Sequence, residues 1–345
     1  MLDADVEVDR RDFTVRAAIR VAPGERLALF GPSGAGKTTL LETIAGLVPP
    51  RCGRVELAGR VLTSTARPAR AVPPWQRRTG LLRQDPALFP HLSVRRNLAY
   101  APAADASAAE LAALAEALGL TGLLSAMPAG LSGGQAHRVA LGRLLLSHCD
   151  VLLLDEPYTG LDAGLRRVLT ELVVGLVTER EIPAILVAHE LAEAQAFASR
   201  LAIIDRGLLL QEGPPREVVL RPASRRVAEL TGYLGFVPVR PDRDGRVTRT
   251  GGDGGIVAGV HPERVASGAH PDRGIVLTGI VCGGRPAGPA WEADLRVGSA
   301  QVTCRLTDQP AAADAELVVT ALDPPCFGPD GGAVRLARWP VQAGA

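Results

Sequence analysis

The sequence predicts an α/β domain followed by a small all-β domain, and three observations carry that expectation. Three short apolar runs, at 27–30, 151–154 and 184–188, have the length and unbroken hydrophobicity of strands covered on both faces in a parallel sheet. Each run ends in chemically versatile residues: a glycine-rich loop from Gly31, the adjacent acids Asp155 and Glu156, and His189. Ligands of such sheets gather beyond the carboxyl ends of the strands, so three endings of this kind converge on one site. From about Val237 onward, Gly and Pro punctuate short β-prone runs such as 274–281 and 317–322, the pattern of a small β domain.

The elements follow in order. Phe13, Val15, Ala17, Ile19 and Val21 recur at every second position, the period of a half-buried strand. Pro23, Gly24 and Glu25 turn the chain into the 27–30 strand. Leu40, Leu41 and Glu42 begin a helix after the glycine loop. Leu111, Leu114 and Leu118 share one face of an amphipathic helix at 110–119, and 135–146 reads as a second helix. Residues 203–210 read as two strands around a tight turn, and 225–230 as a last helix. The expected domains are therefore 1–230, with a helical part at about 85–147, and 231–345.

Composition excludes several classes. A chain of 345 residues has room for two domains, and 47% hydrophobic with 22% charged residues is the balance of a chain that folds. With 38 basic against 37 acidic residues there is no nucleic-acid footprint and no polybasic tail, so nucleic acid is not an expected partner. Cys52, Cys149, Cys282, Cys304 and Cys326 are scattered without a CxxC pair, which argues against a disulfide framework or zinc site and for the cytosol. The N-terminus alternates charged and apolar residues, unlike a signal peptide, and no run approaches the eighteen or so apolar residues of a membrane span. Any membrane role is expected to come from a partner.

The loop Gly31-Pro32-Ser33-Gly34-Ala35-Gly36-Lys37-Thr38-Thr39 fits the P-loop pattern, in which glycines let successive N–H groups point at one phosphate. The helix beginning there adds its positive end. Lys37 would reach the β- and γ-phosphates, and the Thr38 hydroxyl would ligate the Mg²⁺ that accompanies ATP. Lys37 is also the only lysine in the chain. An ammonium is a compact point charge that a planar guanidinium cannot replace in a tight phosphate cradle. Asp155 stands where an acid contacts Mg²⁺, and Glu156 where one polarises an attacking water. Of six histidines only His189 ends a buried strand; the others have the ordinary structural reading. Ser132, Gly133, Gly134 and Gln135 form a turn into a helix, with Ser132 as N-cap, and offer free N–H groups to a second phosphate.

The ordered set of residues 31–39, Gln84, 131–135, 151–157, Leu161-Asp162 and His189 resembles the nucleotide-binding domain of ABC transporters, over about residues 1–230. The resemblance implies a mixed-sheet ATPase with a helical subdomain, and it supplies roles. Gln84 contacts the metal and couples to the membrane subunit, Asp155 and Thr38 hold Mg²⁺, Glu156 is the general base, and His189 meets the γ-phosphate. Ser132, Gly133, Gly134 and Gln135 act on the ATP of a second copy, in a head-to-tail dimer. Ala136-His137 after residues 131–135, the family's signature, and Gly160 beside Leu161-Asp162, its D-loop, depart from the usual residues without removing a ligand. The aromatic residue that stacks on adenine in the family is not evident, because Phe13 alternates with core positions.

Residues 84–94, and 259–263 with His261 in place of the usual Arg, are similar to importer ATPases that carry an OB-like C-terminal β-barrel. The resemblance implies permease subunits and an extracytoplasmic solute-binding protein as partners, and a place on the cytoplasmic face of the membrane through the permease. Residues 88–98, 141–143 and 182–187 look like molybdate importers, and 251–255 could form an anion nest. Sulfate, polyamine, iron and sugar importers share the outline. A soluble ABC ATPase of translation or DNA repair would carry tandem domains or a long coiled-coil insertion, and a small-molecule kinase would need neither the signature nor His189.

Overall fold

The computed structural model describes residues 1–100, 107–241, 247–249, 255–270, 272–307, 309–310 and 314–334. They fall into two units, Met1–Pro215 and Arg216–Ala345.

The first unit is built on an eleven-stranded mixed sheet. Its strands are β1 (Leu2–Asp9), β2 (Thr14–Val21), β3 (Arg26–Phe30), β4 (Cys52–Leu57), β5 (Arg60–Ser64), β6 (Arg70–Ala71), β7 (Thr79–Leu82), β8 (Val151–Asp155), β9 (Ala184–Ala188), β10 (Arg200–Asp205) and β11 (Leu208–Gly213). The spatial order is β6-β5-β4-β1-β2-β11-β10-β3-β9-β8-β7. The stretch from β10 to β7 is parallel throughout, and β8 and β9 are buried at every position, as their unbroken apolar runs require. The β1-β2-β4-β5 wing is antiparallel, and β2 alternates buried with exposed residues from Val15 to Val21. β10 and β11 form the expected hairpin, with positive φ at both Arg206 (47°) and Gly207 (79°), the geometry of a primed two-residue turn.

Helix α1 (Lys37–Ala45) lies across the sheet, touching β1, β2, β7, β8 and β9, and its Leu40, Leu41 and Ile44 enter the core beside Leu29, Leu153 and Val187. The helical part comprises α2 (Val94–Leu98), α3 (Ala108–Ala117) and α4 (Gly133–Leu145). Ser107 with Glu110, and Ser132 with Gln135, form capping boxes at the starts of α3 and α4. Buried Asn97 ties the preceding turn together, accepting from Phe89 N and donating to the carbonyls of Phe89, Leu92 and Ser93. Two helices flank the remaining strands, α5 (Ala163–Glu179), capped by Asp162, and α6 (Leu191–Phe197). Among the described residues no helix is long and apolar enough to cross a membrane.

Among the described residues the second unit contains α7 (Pro215–Leu220, entering from the last residue of the first unit), α8 (Arg225–Leu230) and ten strands. These are β12 (Phe236–Pro241), β13 (Val247–Arg249), β14 (Ile256–Gly259), β15 (Val265–Ser267), β16 (Gly274–Ala287), β17 (Ala290–Val297), β18 (Ala300–Leu306), β19 (Glu316–Leu322), β20 (Cys326–Phe327) and β21 (Ala333–Val334). They form two five-stranded antiparallel sheets that share one core, in which Val237, Val239 and Ala258 of one sheet join Leu277, Leu295, Val302 and Val319 of the other. The expected seam at 230 differs from the division after Pro215. The cause is packing: Ala228 of α8 clusters with Tyr233 and Phe327, and the Tyr233 hydroxyl donates to Val219 O of α7 at 3.0 Å. The anion nest expected at 251–255 falls, apart from Gly255, outside the described residues.

Tyr233→Phe leaves the Val219 carbonyl without its donor, at a cost of about 1 kcal/mol. Hydrogen exchange resolved by peptide is expected to quicken across α7 and α8 and to stay unchanged in the parallel strands of the first unit.

Candidate active site

The loop between β3 and α1 is shaped by two approaches that only glycine permits. A Cβ on Gly31 would lie 1.9 Å from Ile204 O of neighbouring β10. Gly36, the N-cap of α1, has φ of 102°, and a Cβ there would lie 2.6 Å from Val15 Cγ2. No side chain caps α1, so the partial positive charge of its first turn faces the loop. Lys37 opens that helix, buried to 7% exposure, and its Nζ donates to Gly31 O at 2.7 Å and Pro32 O at 2.9 Å. Burial pushes the ammonium pKa down, while the charges of Glu156 and Asp155 pull it back up.

Opposite the loop, Asp155 closes β8 and accepts from Thr38 Oγ1 at 3.1 Å, joining sheet to helix. Burial raises its carboxyl pKa, against the hydrogen bond from Thr38. Glu156 follows with φ of 50°, a left-handed conformation that costs a non-glycine residue about 1–3 kcal/mol. The strain is held by a bond from its N–H to Val187 O at 3.1 Å and by Thr159, whose Oγ1 donates to its carbonyl at 3.2 Å. Gln84 Nε2 donates to Glu156 Oε2 at 3.4 Å, which leaves the Gln84 Oε1 out of that bond. Ser33 to Thr39, Gln84, Glu156 and Phe13 line one cavity of about 780 Å³. Phe13 packs against the core as expected, and it has a second role. β2 begins one residue later, so Phe13 packs on the edge of the core and also borders the cavity.

The other expected residues stand apart from this cavity. Ser132 caps α4, its backbone N–H held by Gln135 Oε1 at 2.8 Å, and Gly133 and Gly134 begin the helix. His189 is half exposed, with Nε2 3.7 Å from Glu190 and Nδ1 3.9 Å from Glu193.

Three residues escaped the sequence reading. Arg77 is buried without a carboxylate and donates to Ile44 O (2.9 Å), Val72 O (2.7 Å) and Thr63 Oγ1 (2.8 Å), fixing the far end of α1. Arg143 of α4 donates to Ala87 O at 3.1 Å and lies over the Phe89 ring at 5.1 Å, which ties α4 to the segment following Gln84. Glu193 is a buried carboxylate one helical turn after His189. For Glu193 the i, i+4 spacing from a strand-ending histidine was the available signal; for the two arginines there was none short of the fold.

A family model described as ABC transporter matches residues 16–159. The Fe(3+) ions import ATP-binding protein of Mesorhizobium japonicum is 43% identical over 221 residues, 63% of this chain and 61% of that protein. The chain spans only 61–64% of the length of that and three further iron and sulfate relatives. The molybdate/tungstate import ATP-binding protein of Thermococcus kodakarensis is 36% identical over 282 residues, 77% of this chain and 82% of that protein. Among solved structures, an ATP binding subunit of an ABC transporter superposes with a TM-score of 0.55 at 26% identity, covering 67% of this chain and 95% of that one.

Burial pushes the Glu193 carboxyl up to about 7 from an ordinary 4.5, with the charges of His189 and Arg166 pulling the other way. The native state therefore holds this proton more tightly than the unfolded chain, so stability is lost as pH rises from about 4.5 to about 7, and the deficit is constant above. Calorimetry is expected to show the Tm of Glu193→Gln gaining on wild type between about pH 5 and about pH 7.5. A constant gap would mean that the carboxyl does not titrate there.

Proposed function

Because the chain belongs to the ABC-transporter family, we propose that it is the ATP-binding and ATP-hydrolysing subunit of an importer. The observation that carries this reading is the buried Lys37 ammonium at the uncapped start of α1, facing a cavity that Glu156 closes from the other side. Backbone N–H groups of 31–36 and the first turn of α1 bind the phosphates, with Lys37 as the point charge among their oxygens. Phe13, at the cavity edge, offers a face to the base. The Thr38 hydroxyl, the Gln84 side-chain oxygen and the Asp155 carboxylate are hard oxygen donors and fit Mg²⁺; MgATP is thus the substrate form. The ion, when bound, supplies charge neutralisation on the phosphates. Glu156 takes the proton of the attacking water, and its strained backbone, pinned to β9, holds the carboxylate at the cavity wall.

Ser132, Gly133, Gly134 and Gln135 serve the ATP of a second copy, which agrees with their not lining the chain's own cavity. His189 meets the γ-phosphate once the two copies close. Permease subunits hold the protein at the cytoplasmic face of the membrane, and an extracytoplasmic solute-binding protein delivers cargo to them. The cargo is an oxyanion of the molybdate type. Its support is the Thermococcus kodakarensis relative, whose likeness covers 77% of this chain, more than the first unit alone holds.

Lys37→Arg is expected to abolish ATP hydrolysis and weaken nucleotide binding by at least tenfold, measured by phosphate release and calorimetric titration. Near-normal turnover would remove the role of Lys37. Glu156→Gln is expected to bind MgATP and stall, so that size-exclusion chromatography with ATP gives a dimer; a monomer counts against action between copies. For the cargo, disruption of the gene in a strain without a redundant importer should lower molybdate and tungstate accumulation at limiting concentration, and unchanged accumulation rejects the assignment.

A further inference from the structure

The segment that follows Gln84 is fastened to the helical part by contacts that the proposed chemistry does not use. Before Gln84 the chain belongs to the sheet: β7 ends at Leu82, and Arg83 pairs with Glu42 of α1 at 3.1 Å. After Gln84 the holding groups change. Ala87 has φ of 44°, a left-handed backbone that alanine keeps only where its surroundings hold it, and its N–H donates to Asp85 Oδ1 at 3.2 Å. Arg143, in the last turn of α4, reaches the same turn, its Nη2 donating to Ala87 O at 3.1 Å and to Pro86 O at 3.3 Å. Its guanidinium carbon lies 5.1 Å from the centre of the Phe89 ring, and the Phe89 backbone is clamped at N and O by buried Asn97 of α2. The Nη1 of Arg143 is buried with no acceptor, so among the described residues all its hydrogen bonds go to this turn. α2 and α4 approach so closely that a Cβ on Gly142 would lie 2.6 Å from Leu98 Cδ2. Residues 86–89 are thus carried by these two helices, and Gln84 stands at the joint between them and the sheet.

We propose that Arg143 is a positioning residue for Gln84: it latches the strained Ala87 turn to α4, so that the seating of α4 sets where Gln84 stands against Glu156 in the cavity. The inference rests on the reading in which Gln84 works in the chain's own ATP site and residues 132–135 meet the ATP of a second copy, and it supplies the part that joins the two. Those residues open α4 and Arg143 lies near its other end, about 15 Å along one thirteen-residue helix. A helix of that length moves as a rod, because bending or stretching it breaks its own ladder of hydrogen bonds. An ATP that seats the start of α4 therefore also seats Arg143, and through it the turn that carries Gln84. The contact at the far end is easily changed: Gln84 Nε2 is 3.4 Å from Glu156 Oε2, at the long limit of a hydrogen bond, so a small displacement of the turn makes or breaks it. Arginine suits the latch because one planar guanidinium spans two carbonyls while its face lies over a ring, which a point charge cannot do.

The test is a double-mutant cycle on the full chain, with Arg143→Met, which keeps the apolar stem and removes the donors, Gln84→Ala, and the two combined. Peptide-resolved hydrogen exchange without nucleotide is the first readout: in Arg143→Met, exchange is expected to quicken across 84–89 and to stay unchanged in α1 and β8. Unchanged exchange across 84–89 overturns the latch. Phosphate release is the second. Each single variant is expected to lower kcat about tenfold with KM for ATP nearly unchanged, and the double variant to be no slower than Gln84→Ala by more than about twofold, since a latch has nothing to position once the Gln84 amide is gone. Losses that multiply in the double variant overturn the proposal, because Arg143 then acts on the fold or on another group. Normal turnover in Gln84→Ala rejects the role of Gln84 itself, a failure of the underlying reading that the cycle separates from a failure of the latch. If Arg143→Met does not fold, Phe89→Leu, which removes the ring under the guanidinium and leaves α4 untouched, takes its place in the cycle with the same criteria.

Discussion

Keeping one ammonium ion out of water, with no carboxylate bonded to it, is the constraint around which the first unit is arranged. Lys37 is held by two backbone carbonyls, and those carbonyls are where they are because Gly31 lets β3 and β10 lie close enough for the chain to turn between them. The helix that Lys37 opens must then be fixed at its other end. Arg77 does this with four hydrogen bonds, three to carbonyl oxygens and one to a hydroxyl. A buried guanidinium suits that place because it fans several donors across the end of the helix and the segment beside it.

Two neighbouring carboxylates divide the opposite wall by environment. Asp155 is the last residue of a strand buried on both faces, tied to Thr38 and short of water. Glu156, one step on, leaves the strand through a left-handed backbone and reaches the cavity. Adjacent residues in an extended strand point to opposite faces, so the kink at Glu156 is what allows both acids to serve one site.

The parts legible in the sequence were those whose meaning is local. The glycine loop, the Asp155-Glu156 pair and the Ser132 cap each declare themselves within a few residues. The runs at 151–154 and 184–188 are strands because nothing polar interrupts them. What escaped depends on distance along the chain. Arg77 lies 33 residues from the carbonyl of Ile44 that it binds, and arginine in a polar stretch looks like any surface charge. The sequence reading assigns no element to 163–179, where Leu169, Thr170, Val173 and Val177 mark the buried stripe of α5. Phe13 lies one residue before its strand, so its place at the cavity as well as on the core has no local signal, and neither has the packing of α7 and α8 on Tyr233 and Phe327.

The solitary lysine has a practical corollary. Every other lysine-or-arginine side chain is arginine, so the chain has one ammonium nitrogen on a side chain, and it sits buried at the end of the glycine loop. Isotopic labelling of lysine would yield a single side-chain resonance reporting on that loop, free of overlap in a protein of 36.1 kDa. The protein thus carries a built-in, single-site probe of its own loop occupancy.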